Sequence, residues 1–343
     1  MSHPKKLRTG VIGLGMSAPP HALSLLALHD RVEVAGVFSP TASRRAAFAE
    51  QFELPVVDSA EAIFEDASID YVIILTPPNS HLELVRKAAA CGKHVLLEKP
   101  LDVTLARSQQ LVETARQAGI RLGIVFQRRF RPTFVQAARL LSEGELGDIV
   151  SVSMRLSNWR PQSYYDEPGR GTLSRDGGGV LLTQAIHTID QMITLAGLPT
   201  EVSGLAVTSA LHRMETEDLV HAVLRFENGA IGSLSATTAA YPGYPDEIEI
   251  LGTRGSARLG SENGLIMLMD GRRIELTDST EAGGTGADPM AFSHHNHLAL
   301  HEAFIDAIAE GRDPPASGED ALKAHRLISA ILRAAAGGGT VPV

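Results

Sequence analysis

The sequence predicts an α/β protein: a doubly wound parallel sheet at the N-terminus, then an α+β domain with a large, mostly antiparallel open sheet. Three observations carry this. Over residues 7–125 short apolar runs alternate with helical stretches, the pattern of parallel strands covered on both faces. A glycine turn, Gly13-Leu14-Gly15, follows the first apolar run. After about Phe126 the rhythm changes to strands joined by Asn-Gly and Asp-Gly, the tight turns of hairpins. A chain of 343 residues exceeds what one core usually serves, so two domains are expected, 1–125 and 126–343.

In the first domain, strands are expected at 7–12, 32–38, 71–75, 94–97 and 121–125, with helices near 20–29, 41–52, 80–90 and 104–118. Pro19-Pro20 suits a first helical turn, where the missing amides lose no partner. Pro19 also biases Ala18 away from helical geometry, so that helix is expected to begin late. Asn79 or Ser80 can cap the helix that follows them. The second domain should open with a helix at 133–142 and a strand at 149–157. A loop from Trp159 to Arg175 and a long helix at 180–196 come next. Strands 219–227 and 230–238 flank Asn228-Gly229, and Asp270-Gly271 joins 265–269 to 272–276. These strands read as antiparallel. Residues 281–288, rich in Gly and Ala, read as a mobile loop, and helices at 295–310 and 318–335 close the chain. Along 230–238 neither face carries a charge. The flat face of Ile231, Ser233, Ser235 and Thr237 is poorly suited to water and is expected to be covered by another subunit, as in a homodimer or homotetramer.

Composition narrows the function. With 44% hydrophobic and 21% charged residues the chain has the balance of an ordinary soluble protein, and no apolar run approaches the roughly 18 residues of a membrane span. The polar start runs directly into a strand, so neither a signal peptide nor a twin-arginine leader is expected. The single cysteine, Cys91, excludes an internal disulfide and suits a reducing cytoplasm; at a helix end between Ala90 and Gly92 it reads as a packing residue. A net charge of −9 disfavours nucleic acid and acidic membrane as partners. It leaves room for a phosphorylated cofactor, which needs only local donors.

The glycine turn points to such a cofactor. Gly13 permits the bend, Gly15 lets the backbone approach a pyrophosphate beside Met16, and the following helix N-terminus favours its charge. Ala18 holds the third fingerprint position. After the second strand, Ser39 stands where an NAD site normally has an acid for the ribose hydroxyls. Arg44 and Arg45, one turn on, can pair with a 2′-phosphate, so NADP is expected ahead of NAD. Thr76, Pro77, Asn79, Ser80 and His81 follow the strand at 71–75, at the carboxyl edge where ligands bind. Thr76, Pro77, Asn79 and His81 are candidate cofactor contacts, joined by Glu98, Gln127 and Arg160.

Lys99, in Glu98-Lys99-Pro100 after the strand at 94–97, is the candidate proton-transfer group. Oxidising an alcohol requires a base for the hydroxyl proton as hydride leaves to a nicotinamide. Partial burial beside a cationic ring lowers a lysine toward working pH. On the helix after Gly177-Gly178-Gly179, Thr183, His187 and Asp190 share one face, so His187 can bond the reacting hydroxyl, held by Asp190 or Thr183. Candidate substrate contacts are Arg128, Trp159, Tyr165, Thr183 and Gln184, a set of aromatic and cationic groups suited to a sugar-like or acidic ligand. His294, His295 and His297 start a helix, where side chains fan apart, and no metal site is read there.

Taken together, Gly10 to Gly15, Thr76 to His81, Glu98-Lys99-Pro100, Arg129-Phe130 and Gly177 to Asp190 resemble the glucose–fructose oxidoreductase and inositol dehydrogenase group, the Gfo/Idh/MocA family. The resemblance implies a Rossmann domain, then an α+β domain whose open sheet mediates dimers or tetramers. It implies NAD(P)-dependent oxidation or reduction of sugars, sugar acids, cyclitols or dihydrodiols, with Lys99 catalytic, a cis Lys99-Pro100 bond, and His187 as the helix histidine. The chain departs from the pattern once. Where the family commonly has Asp, then Gly, then His, this helix has Thr183, Ala185 and His187. That points away from inositol-type recognition toward modified or acidic sugars or aromatic dihydrodiols, with Thr183-Gln184 taking over the contact. Two alternatives stay open: a cofactor-binding sensor without turnover, and an NAD-dependent glycosidase working by transient oxidation.

Overall fold

The structure, a computed structural model, describes residues 6–278 and 293–343; the loop expected at 281–288 lies outside them. The N-terminal region runs β1 (Leu7–Ile12), α1 (Ala18–Ala27), β2 (Val32–Phe38), α2 (Ala42–Phe52), α3 (Ala60–Glu65), β3 (Tyr71–Ile74), α4 (His81–Ala90), β4 (His94–Leu97), α5 (Leu105–Gln117) and β5 (Leu122–Ile124). The five strands stand in the order β2-β1-β3-β4-β5 and every pairing is parallel. Successive residues such as Val72 and Ile73 are both fully buried, as a sheet covered on two faces requires.

α1 begins at Ala18, ahead of the expected start. Ser17 before it is already right-handed (φ −78°, ψ −12°), and Ala18 is fully buried. Both prolines fall in the first turn, where no amide bond is lost, so packing of Ala18 overrides the local bias. α3 was not anticipated; it is one short turn, opened by the Ser59 hydroxyl accepting the amide of Ala62. Cys91 does end α4, but its side chain is exposed, which corrects its reading as a packing residue.

The chain continues with α6 (Pro132–Ser142), β6 (Ile149–Trp159), α7 (Gln162–Tyr165), α8 (Ile186–Ala196), β7 (Glu201–Val207), β8 (Leu219–Arg225), β9 (Ile231–Thr237), β10 (Ala239–Gly252), β11 (Gly255–Leu259), β12 (Asn263–Leu268) and β13 (Arg273–Thr277). α9 (His295–Glu310), α10 (Gly318–Gly337) and β14 (Val341–Pro342) follow. The second sheet has nine strands in the order β13-β12-β11-β10-β6-β9-β8-β7-β14. Both expected hairpins are present, with positive φ at Gly229 (85°) and Gly271 (91°). One pairing is parallel, β6 with β9, so the sheet is mixed at its centre rather than antiparallel throughout. β10 was not anticipated because Pro242, Gly243 and Pro245 read as turn signals; the strand absorbs them through register shifts against β6.

The described chain packs as two units. Residues 6–127 and Ser293–Leu322 form one; residues 128–278 and Lys323–Val343 form the other. The first expected boundary, at 125, lies two residues from this division, but 126–343 is not a single body. α9 joins the first unit, where His301 on it meets His21 on α1, and the Ile124 amide donates to the Ala316 carbonyl (2.8 Å). On the nine-stranded sheet Gly232, Leu234 and Ala236 face inward, while Ile231, Val223 and Leu205 are 60%, 61% and 70% exposed. Among the described residues no helix is long and apolar enough to cross a membrane.

Candidate active site

In the first unit the order β2-β1-β3 places a switch point between β1 and β3, and ligands of such sheets bind beyond the carboxyl ends of those strands. Gly13 has φ +106°, and a Cβ there would stand 2.7 Å from the Leu75 carbonyl carbon and 2.9 Å from the Thr76 amide. Only glycine serves at that position, since both the conformation and the space exclude a side chain. Nothing lies within 4 Å of where a Gly15 Cβ would point, and Met16 beside it is 54% exposed, so the turn opens onto free space. Pro19 and Pro20 remove two amides from the helix start. The donors available to a pyrophosphate are therefore those of the turn itself, with the field of α1 behind them.

At the end of β2, Ser39 is 2% exposed and its carbonyl accepts Arg45 Nη1 at 2.6 Å. The Arg45 guanidinium also lies over the Phe38 ring, 5.8 Å from its centre, whereas Arg44 is exposed. After β3, the Thr76 and Ser80 hydroxyls bond at 2.7 Å, and Ser80 donates to the Pro77 carbonyl at 2.8 Å. Ser80 therefore ties its own loop and makes no side-chain cap on α4. Asn79 is exposed, and its carbonyl accepts Arg107 Nη2 at 3.4 Å.

His81 was expected to touch the cofactor. It is fully buried instead: Nε2 faces the Thr76 carbonyl (2.8 Å) and Nδ1 faces the carbonyls of Pro100 and Leu101 (3.0 and 3.2 Å). The ring thus stands between the Thr76 loop and the segment after Lys99, both nitrogens turned to main-chain carbonyls; a neutral ring donates its one hydrogen to one side of the two. Burial pulls its pKa below the ordinary value, against the pull of those carbonyls.

Lys99 is half-buried, its peptide to Pro100 is cis, and the preceding Glu98 amide donates to the Ile74 carbonyl at 2.9 Å. Asp102, fully buried, holds the far side: it accepts the amides of Leu82 (3.1 Å) and Val103 (2.7 Å) and pairs with Arg107 Nε (2.6 Å). The lysine thus stands on a main chain fixed on both flanks at the carboxyl edge of the sheet.

Three more histidines are buried nearby in the same unit: His21 on α1, and His297 and His301 on α9. Burial holds the pKa of His297 and His301 well below the usual value. Histidines kept neutral by the fold take up protons more readily when unfolded. Their stability contribution is present above the unfolded pKa, near ~6.5, and is lost as pH falls through the folded values. With His81 in the same class, the melting temperature should be level above about pH 7 and decline as pH falls below about 6. His301→Leu should flatten that decline, as scanning calorimetry across pH will show; an acid slope equal to that of the unsubstituted protein would refute the assignment.

In the second unit, the helix bearing His187 is anchored at its start by Glu217. Gly179 and Leu181 amides donate to the two Glu217 carboxylate oxygens (3.0 and 3.1 Å), and the Val180 amide donates to the Glu217 carbonyl (2.8 Å). A Cβ on Gly179 would overlap that carbonyl, which explains the third glycine of the run. Burial pushes the Glu217 carboxyl pKa up in spite of the two amides. Residues Leu181–Ala185 form a widened π turn before α8, so the helix expected at 180–196 is not uniform. Thr183 Oγ1 donates to the Gly179 carbonyl (2.7 Å) and also meets Gln184 Oε1; both residues are half-buried.

His187 is 7% exposed. Asp190, expected to help orient it, is engaged on both oxygens by Arg129, through Nε (2.7 Å) and Nη2 (2.5 Å). Arg128 was expected to meet substrate; its Nη1 bonds Asp246 and lies 3.2 Å from Thr188 Oγ1, which itself donates to Asp246 (3.0 Å). That group secures the unit's interior. Tyr165, the other expected substrate contact here, is buried, its hydroxyl bonds Thr238 Oγ1 at 2.7 Å, and burial pushes its pKa up to about 12. Trp159 and Arg160, at the end of β6, are half-buried, and the Arg160 carbonyl lies 2.8 Å from His212 Nε2. His212 Nδ1 stands 2.6 Å from Asp218, which also accepts the Ser209 amide and hydroxyl.

Several of these supports went unnoticed in the sequence: Asp102, His21, His212, Glu217, Asp218 and Asp246. The one available signal was Glu217-Asp218, two acids abutting an apolar strand, where burial demands partners.

This geometry is that of a dinucleotide-binding oxidoreductase. Residues 7–126 match the model of the oxidoreductase family with an NAD-binding Rossmann fold, and residues 134–258 match the GFO/IDH/MocA C-terminal domain. The chain belongs to the Gfo/Idh/MocA family. It is similar to myo-inositol 2-dehydrogenase of Thermotoga maritima, at 28% identity over 92% of each chain. It is also similar to scyllo-inositol 2-dehydrogenase (NADP(+)) IolW of Bacillus subtilis, at 26% identity over 95% of this chain and 93% of that protein. Among solved structures it resembles the WlbA dehydrogenase of Bordetella pertussis in complex with NADH and UDP-GlcNAcA, with TM-score 0.84, 27% identity and 99% of each chain covered.

Proposed function

We propose that the protein is an NAD(P)-dependent dehydrogenase or reductase that moves a hydride between the nicotinamide and a secondary alcohol or ketone of a carbohydrate-like molecule: a sugar, sugar acid, cyclitol or dihydrodiol. The observation that carries this reading is Lys99, held on a braced main chain at the carboxyl edge of a sheet whose switch-point turn only glycine can make. The bound nicotinamide supplies the hydride acceptor or donor. Neutral Lys99 takes the hydroxyl proton in oxidation, and its ammonium returns one in reduction. His187 bonds the same hydroxyl, and Thr183, Gln184 and Trp159 contact the substrate. Gly13, Gly15, Met16, Thr76, Pro77, Asn79, Gln127 and Arg160 serve the cofactor. The test is a screen of sugars, sugar acids, cyclitols and dihydrodiols, following absorbance of the reduced cofactor. Cofactor that co-purifies and never releases net reduced product would favour the glycosidase; tight binding without any turnover would favour the sensor.

We assign NADP as the preferred cofactor, because Ser39 presents no charge to a 2′-phosphate and Arg44 is exposed one turn on. Ser39→Asp should shift the ratio of kcat/KM values toward NAD by at least about tenfold, through like-charge repulsion of the phosphate. A clear NAD preference in the unsubstituted protein would overturn the assignment. The uncharged face of β9, with Val223 and Leu205 beside it, supports a homodimer or homotetramer built on this sheet. Sedimentation at micromolar concentration should give more than one chain per particle; a monomer ends that part of the reading. The single cysteine is consistent with a cytoplasmic location.

A further inference from the structure

A buried line of polar groups, which the hydride chemistry does not use, reaches the peptide of Lys99 from the back of the first unit. His21, the only titratable residue of α1, is fully buried. Its Nδ1 stands 2.8 Å from His301 Nε2, and its ring meets that of His297 edge-on at 5.0 Å. Its other nitrogen, Nε2, lies 3.7 Å from Glu98 Oε1. The opposite oxygen, Glu98 Oε2, accepts the amide of Lys99 at 3.0 Å. Polar contacts therefore run from α9 through α1 to the main chain that carries the lysine.

The order of hydrogens along this line follows from electrostatics. One hydrogen sits between His21 Nδ1 and His301 Nε2. Were it carried by His21, a neutral ring would turn the Nε2 lone pair toward the Glu98 carboxylate. Carried by His301, it leaves the His21 hydrogen on Nε2, pointing at that carboxylate. The second arrangement is attractive at every step, and each group donates to the next toward Glu98. At 3.7 Å the last step is longer than a hydrogen bond, as is common before a complex tightens an active site.

We propose that His21, backed by His301, is a positioning residue that holds the Glu98 carboxylate against the amide of Lys99 and so sets both the place and the proton affinity of that lysine. The inference rests on the reading of Lys99 as the proton-transfer group. The Glu98 carboxylate, next in the chain and bound to the Lys99 main-chain amide, contributes a negative field that favours the charged lysine, and a donor on that carboxylate weakens the field. The groups facing His21 are Glu98, next to Lys99, from the end of β4, and His297 and His301 from α9, with His294 acting on His297. Burial keeps His297 and His301 well below the usual histidine value, so these two rings add no charge beside His21.

The test needs no substrate. The full chain is reductively methylated with ¹³C-formaldehyde, and the dimethyl-Lys99 resonance, assigned by its loss in Lys99→Arg, is titrated by NMR. Glu98→Gln should weaken the proton affinity of Lys99 by about tenfold, one unit of titration midpoint. His21→Leu should strengthen it by about threefold or more, since the carboxylate loses its donor, while His21→Gln, which keeps an N–H toward Glu98, should stay closer to the original. Midpoints in His21→Leu within experimental error of the unsubstituted protein overturn the proposal, whatever Glu98→Gln does. Should His21→Leu not fold, His301→Phe takes its place with the same expected direction and the same overturning result. A purely structural His21 would lower the melting temperature without moving the Lys99 midpoint. Turnover by Lys99→Ala, measured separately, is what would sink the catalytic reading of Lys99, so the two failures are distinct.

Discussion

Replacing Lys99 with alanine is expected to lower turnover by roughly 10²–10⁴-fold while cofactor affinity changes by no more than a few-fold. The first figure is the usual contribution of a positioned acid–base group. The second follows from where the binding energy lies: the Gly13 turn and the loop after β3 are built without the lysine side chain. Lys99→Arg should be nearly as inactive. A guanidinium is always protonated and cannot take the hydroxyl proton in the oxidative direction. The main chain around the site is braced by His81 and Asp102, so the alanine variant should melt close to the unsubstituted protein, and lost turnover reads as lost chemistry. Near-normal turnover of Lys99→Ala on a true substrate would remove the lysine from the mechanism.

Gly179→Ala should produce the largest loss of stability among single-methyl additions. Its added Cβ would overlap the Glu217 carbonyl oxygen, a backbone atom that also accepts the Val180 amide. Neither side can yield without breaking the hydrogen bonds by which Glu217 starts the helix of His187. Overpacking typically costs 1–3 kcal/mol, and this site should reach about 3 kcal/mol, a fall of roughly 6–12 °C in melting temperature. Gly178→Ala is the matched control, because its Cβ would only approach the Leu182 side chain at 3.2 Å. The two variants compared by thermal unfolding decide the point. Equal melting temperatures would mean that the Glu217 contact does not constrain the helix.

The elements that were legible in the sequence are those set by local chemistry. β1, β2 and β4 occupy the residues expected of them, because each is an apolar run closed by a turn or a charge. The hairpins at Asn228-Gly229 and Asp270-Gly271 follow from the positive φ that those turns demand. The glycine turn, Lys99 and His187 stood out by order along the chain, and Lys99 and Gly13 do lie at the same carboxyl edge of one sheet. What was not legible depends on partners far apart. His21 and His301 are separated by 280 positions, and no local pattern says that α9 returns to the first unit. The parallel pairing of β6 with β9 leaves no trace in either strand's alternation. His81, Arg128 and Tyr165 carry the residue types of a binding site. Their partners, the Pro100 carbonyl for His81, Asp246 for Arg128 and Thr238 for Tyr165, lie well off along the chain, beyond the reach of any local pattern.

Transfer of a deuterium label tests the central claim most directly. A substrate found in the screen, carrying deuterium on its carbinol carbon, is incubated with the enzyme and oxidised cofactor, and the reduced cofactor is analysed by mass spectrometry. Direct hydride transfer assisted by Lys99 predicts that the label arrives on the nicotinamide, and that Lys99→Ala stops its arrival although cofactor still binds. Product formed with the label lost to water, or label transferred undiminished by the alanine variant, would contradict it.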